Sequence, residues 1–266
     1  MTALAVFILL APATVFALEL QGKAVQGGLM FGQALPGSRV QLDGAEVMVS
    51  PEGRFVLGFG RDETGTRTLQ ITEPGGGAVR RELAVEPREY RIERVDGLPP
   101  KTVTPDPESL ERIREDARKI RAARALRDAR TDYAAGFEWP ASGRISGVYG
   151  SQRILNGEPR RPHFGVDVAA PTGTPVFAPA AGVITLAQPD LYYSGGTVVL
   201  DHGQGLSSSF LHMERVLVDV GQRVAKGDMI GEIGATGRAT GPHLDWRMNW
   251  LGKRVDPQLL VSGEPE

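Results

Sequence analysis

Between Leu18 and Val95, apolar and polar residues alternate in short runs: Arg39-Val40-Gln41-Leu42, Glu46-Val47-Met48-Val49, Arg54-Phe55-Val56-Leu57, Thr68-Leu69-Gln70-Ile71 and Tyr90-Arg91-Ile92. Turn signals separate them, at Pro36-Gly37, Asp43-Gly44, Pro51-Glu52-Gly53 and Pro74-Gly75-Gly76-Gly77. A period of two sends every second side chain to one sheet face, so this stretch predicts a small antiparallel β-sandwich-like module over residues 18–98. The period then lengthens. Asp106 is placed to cap a helix with Pro107 in its first turn, and Leu110, Ile113, Ala117 and Ile120 recur at helical spacing. Helix formers continue from Glu108 to about Tyr133, which predicts a connector helix within 105–135. After Phe137-Glu138-Trp139-Pro140 strand-and-turn patterning returns, through Gly182-Val183-Ile184-Thr185-Leu186, Thr197-Val198-Val199-Leu200 and Met229-Ile230-Gly231-Glu232-Ile233. One antiparallel β-domain is expected over 137–263, with a groove at the mouth of its sheet. The predicted fold class is therefore mainly β.

Arginines surround the narrow apolar stripe of the helix, at 112, 114, 118, 121, 124, 127 and 130, with Lys119. A solvated connector packing one edge on a neighbour explains them; attraction to an anionic polymer or membrane surface is the functional alternative. The whole chain carries 30 basic and 32 acidic residues, a balance that argues against nucleic acid as partner. Met1 to Ala17 is apolar and ends in small residues, which predicts a secretory signal, although the expected Lys or Arg near Met1 is lacking. It is shorter than the roughly 20 residues a stable membrane span needs. With no cysteine there is neither a disulfide framework nor a thiol nucleophile. An exported protein, periplasmic or secreted, is the expectation.

All four histidines, His163, His202, His212 and His243, fall in the last domain. His163-Phe164-Gly165-Val166-Asp167 and His243-Leu244-Asp245 each pair an imidazole with a carboxylate, the donor types of a zinc site with an open position for water. On a straight strand His163 and Asp167 would stand about 13 Å apart, so Gly165 between them suggests a bend. His243 and Asp245, two apart, would share one strand face while Leu244 and Trp246 face the core. His212, beside Leu211 and Met213, taken singly reads more readily as a hydrogen-bonded core residue than as a catalyst, and His202 as the end of a strand in a hairpin. The serines at 207–209 lack the nucleophile-elbow pattern, which argues against a serine hydrolase.

Residues from about Gly143 to Val261 resemble the LytM/lysostaphin-type zinc metallopeptidases, peptidase family M23. The resemblance is carried by Arg161-Pro162-His163-Phe164-Gly165-Val166-Asp167, Ala170-Pro171-Thr172-Gly173-Thr174-Pro175-Val176, Phe210-Leu211-His212-Met213, the run Val220 to Asp228, and Gly234 through Leu244. It implies that Zn2+ is held by His163 and Asp167, and that His212 and His243 are the catalytic, non-ligand histidines. The family's third ligand is the second His of a His-x-His motif, and here that position is Asp245. Two carboxylates would neutralise the dication and leave bound water less acidic than a more cationic site would. What the resemblance implies is a metalloendopeptidase hydrolysing peptide cross-links of bacterial peptidoglycan, with peptide stems as partners and possible cell-envelope regulators. The Asp245 departure keeps open a non-catalytic wall-binding or regulatory protein with a degenerate site. Arg153, Asn156, Tyr192 and Tyr193, in expected groove-edge loops, are candidates for gripping substrate.

Overall fold

Two β layers form where the amino-terminal alternation predicts them, in a computed structural model that describes residues 18–95, 107–155 and 157–265. The expected signal, Met1–Ala17, lies outside the described residues. One layer contains Glu19–Gly22, Leu29–Gln33 and Arg54–Gly58; the other runs Ala45–Val47, Arg39–Leu42, Thr66–Thr72, Ala78–Ala84, all antiparallel. Their inward residues Val40, Phe55, Leu57, Phe59, Leu69 and Ile71 make one buried core. The run at 90–92 behaves differently: the strand is Ile92–Val95, and it pairs in parallel with Gln152–Leu155 of the second domain instead of closing the sandwich.

The helix is also shorter than its propensities suggest, spanning Pro107–Ala123. Beyond it, tertiary partners take the backbone groups a helix would use. Gln204 N–H donates to Asp128 C=O and Asp132 N–H to His202 C=O, while the Arg130 guanidinium bridges Asp128, Asp132 and Asp201. These bonds hold 125–130 out of the helix, against the turn after Asp201, an instance of tertiary contact overriding a weak local preference.

The carboxy-terminal sheet runs Arg223–Val224, Gly182–Leu191, Gly195–Asp201, Leu206–Val216, Leu244–Trp250, Val166–Ala169, Arg144–Gly147, with Met229–Ile233 and Lys253–Val255 pairing alongside. Its inner face is a continuous apolar layer that includes Val166, Val198, Leu200, Phe210, Met213, Leu244, Trp246 and Met248. Leu29 and Val56 of the sandwich join the same cluster. The two halves are tied further by the Arg88–Asp256 ion pair at 2.8 Å and by Gln204 Nε2 donating to Arg54 C=O. No helix of the described residues is long and apolar enough to cross a membrane.

His202 lies just past the end of Gly195–Asp201, fully buried, with Nδ1 on Ala181 C=O and Nε2 on Ser208 Oγ. Burial lowers its pKa from 6.5 to about 4. Between those values the unfolded chain binds a proton that the folded chain refuses, so stability is lost as pH falls through that window, by about 3 kcal/mol in all. His202→Gln is expected to shrink the stability difference between pH 7 and pH 4.5 by about 2 kcal/mol in urea melts. An unchanged difference would contradict this role.

Candidate metal centre and groove

Antiparallel pairing sets Asp167 directly opposite Asp245 on neighbouring strands, so the two carboxylates share the outer face while Val166, Val168, Leu244 and Trp246 point inward. His163 precedes its strand and is brought back by a bend at Gly165. One ligand atom from each of His163, Asp167 and Asp245 then lies within 4.8 Å of the others. Gly165 has an ordinary backbone conformation; what it supplies beyond the bend is room. A Cβ there would stand 2.6 Å from Arg247 Cγ, Asp245 Oδ1 and Trp246 O. Gly165→Ala is expected to cost about 1–3 kcal/mol in chemical melts and to weaken metal binding at least about tenfold. A variant titrating with zinc like the native protein would overturn that.

The donor set fits a metal ion. His163 Nε2 is 3.1 Å from Asp167 Oδ1, an ion-pair contact outside hydrogen-bond geometry, and both atoms are buried without any hydrogen-bond partner. Orphaned buried polar atoms are costly, and two facing each other across a gap suit a shared cation. Burial disfavours the imidazolium of His163, but contact with Asp167 and the charge of Asp245 outweigh it and raise the pKa. A proton thus competes with metal for Nε2, and occupancy depends on pH.

Arg247 is the site residue that sequence reading missed. Its Nε donates to both oxygens of Asp245, at 2.9 and 3.0 Å, and Nη2 donates as well. Burial raises the pKa of Asp245, but the Arg247 charge and hydrogen bonds outweigh it and hold the carboxyl below its usual range. A carboxylate has about four lone-pair positions, so this fork orients Asp245 without exhausting it. It also revises the expected electrostatics. His163, Asp167, Asp245 and Arg247 together carry one net negative charge, the same as two histidines and one aspartate, so a bound dication keeps its excess positive charge. The signal was available: Arg247 is two residues beyond Asp245 on one strand, hence on its face.

His212 reaches the groove through a bulge. Val198 pairs with Phe210 and Gly196 with Met213, so one strand fits an extra residue into the span. His212 takes φ 64°, a left-handed backbone, and its N–H donates to Ser194 C=O. In a regular strand it would follow Leu211, which faces Asp245, onto the core side; the bulge returns it to the outer face. Its Nδ1 meets Thr236 C=O at 2.8 Å, and His243 Nδ1 meets Gly241 C=O at 2.8 Å. In the neutral rings these bonds place the proton on Nδ1 and leave Nε2 as the acceptor. The rings lie 4.8 Å apart between centroids, and burial lowers the His212 pKa.

His163, Asp167, His212 and Arg247 line a groove of about 1970 Å³, whose wall is continued by Ile113, Asp116 and Ile120 of the helix. Asp116 accepts from Tyr192 N–H at 2.8 Å, and Arg112 pairs with Asp190. Tyr192 and Tyr193 both line this groove, edge to face at 4.8 Å, with Arg238 over the Tyr193 ring. Arg153 falls on the strand Gln152–Leu155; its side chain and all of Asn156 lie outside the described residues.

The model of peptidase family M23 matches residues 161–257. A crystal structure from Pseudomonas aeruginosa assigned to peptidase M23 superposes with a TM-score of 0.69 at 31% identity, covering 89% of this chain and 94% of that one. The chain belongs to peptidase family M23. Among curated members, the peptidoglycan DD-endopeptidase ShyA of Vibrio cholerae is 36% identical over 133 residues, 50% of this chain and 30% of its own length. The DD-carboxypeptidase/endopeptidase Mpg of Neisseria meningitidis is 37% identical over 123 residues, 46% of this chain and 28% of its own. The chain thus spans less than a third of these curated M23 relatives. His163, Asp167, His212, His243, Asp245 and Arg247 all lie inside the M23 match, whereas the sandwich and helix lie before it.

Proposed function

We propose that this M23 protein is a zinc-dependent endopeptidase that acts outside the cytoplasm on the peptide cross-links of bacterial peptidoglycan. The observation that carries the reading is the orphaned His163–Asp167 pair facing Asp245, beside two imidazoles whose Nδ1 atoms are held by backbone carbonyls. The activities for which ShyA and Mpg are named support the substrate class.

His163, Asp167 and Asp245 are the residues that would hold zinc, with Arg247 fixing the Asp245 carboxylate. Zinc supplies Lewis-acid polarisation of the scissile carbonyl and of the attacking water. The protein's own contribution is proton handling and position. Burial keeps His212 neutral near pH 7, so its Nε2 is ready to accept a proton from water. As the imidazolium, with both ring nitrogens protonated, His243 on the same wall can hydrogen-bond the developing oxyanion or give a proton to the leaving amine through its Nε2. Tyr192 and Tyr193 offer flat apolar faces at the groove edge for an extended peptide.

The engagement of Asp245 by Arg247 gives the second reading, a wall-binding protein without catalysis, its one structural motive. Chelation separates them. Treatment with a chelator is expected to cut release of peptide products from purified cross-linked peptidoglycan fragments by at least about a hundredfold, and equimolar zinc to restore it. Wall binding with neither zinc uptake nor cleavage would establish the binding reading instead.

A further inference from the structure

Beyond the metal ligands the groove floor carries buried donors with no acceptor. Asn249 stands two residues past Arg247 on the same strand and pairs across the sheet with Arg254. From the opposite side the chain leaving the helix inserts Arg124, whose Nη2 donates to Ser209 Oγ at 2.8 Å; Ser209 is the cross-strand partner of Arg247. Arg124 Nε, Asn249 Nδ2 and Arg254 Nη1 are all buried and all without a hydrogen-bond partner. Arg124, Asn249 and Arg254 line the same groove as His163 and His212. Among the described residues, neither Arg124 nor Arg254 forms an ion pair, and Arg161, which also lines the groove, forms none either. Burial and the neighbouring arginines push Arg254 down to about 10. Arg124 and Arg254 are half-buried, and partly desolvated cations without counter-ions favour a ligand that supplies the charge.

We infer that Arg124, Asn249 and Arg254 form a subsite for a carboxylate of the substrate peptide. Three converging donors, two of them cationic, match the acceptor-only chemistry of a carboxylate. Asn249 lies four residues along the strand from Asp245, about 13 Å at ~3.3 Å per residue, so the carboxylate sits about three or four extended residues from the bond cut. The inference rests on the peptidase reading and deepens it: the groove takes anionic peptides, and the residue leaving the connector helix helps select them. A free α-carboxylate and a side-chain carboxylate share this chemistry.

Three quenched fluorogenic peptides of one sequence decide the matter with the full-length, zinc-loaded protein: the free acid, its C-terminal amide, and a form with side-chain carboxylates amidated. One amidation is expected to lower kcat/KM about tenfold, chiefly through KM, and which one does so identifies the source. In Arg254→Gln and Arg124→Gln that discrimination falls to within about twofold, while Arg254→Lys, which keeps the charge, retains part of it. Equal cleavage of all three peptides by the native protein overturns the subsite. If the native protein cuts none of them, the peptidase reading fails, and fluorescence anisotropy with the same peptides then tests the subsite alone. Tighter binding of an acid than of its amide, lost in Arg254→Gln, upholds it; equal or absent binding overturns it. Far-UV circular dichroism of each variant confirms folding.

Discussion

Asp245→Ala is expected to abolish stoichiometric zinc binding and to destabilise the fold by about 3–5 kcal/mol, because it removes a proposed zinc ligand and the counter-ion of a largely buried guanidinium at once. Arg247 is only partly exposed and directs its hydrogen bonds to Asp245. The two losses are separable. Asp245→Ala/Arg247→Ala removes the orphaned charge along with its partner and is expected to regain stability relative to Asp245→Ala without regaining metal. Asp245→His restores a nitrogen ligand but leaves Arg247 unpaired and the site one charge more positive, so it should bind zinc more weakly than Asp245→His/Arg247→Ala. Zinc by elemental analysis and midpoints by urea denaturation are the measurements. An Asp245→Ala protein that keeps one zinc per chain would remove Asp245 from the ligand set and undo the charge equivalence drawn for Asp245 and Arg247.

The second large effect concerns turnover with the metal still in place. His243→Ala is expected to lower kcat by about 10²- to 10⁴-fold at unchanged zinc content, the range for losing a group that exchanges protons with the reacting atoms. His212 calls for a different replacement. Its left-handed backbone at φ 64° would strain alanine, whereas asparagine visits that region more readily, so His212→Asn tests the imidazole with less disturbance of the bulge. A comparable fall in kcat is expected. With zinc in enough excess to keep His163 from being protonated, activity should decline as acid protonates His212, and because burial lowers its pKa the decline should begin below the ordinary histidine range. Variants within tenfold of native kcat would assign the proton chemistry elsewhere in the groove.

Alternation and turn signals in the sequence determined the β layers, because a period of two specifies which side chains meet the core whatever lies beyond. The same rule placed Leu244 and Trp246 inward and Asp245 outward. The bend at Gly165 was legible too, since His163 and Asp167 could not otherwise meet. Four features needed the folded chain. The helix stops at Ala123 because Asp128 and Asp132 find backbone partners in a turn some 70 residues away. Ile92–Val95 leaves the sandwich because Gln152–Leu155 offers it a free edge. His212 looked like a core residue because a bulge adds a position without leaving a mark in local sequence. The convergence of Arg124 with Asn249 and Arg254 depends on where the connector crosses the sheet. Periodicity is a property of neighbours along the chain and is therefore written in the sequence; charge compensation and the sharing of a groove belong to residues far apart in sequence, and only the tertiary structure brings those into contact.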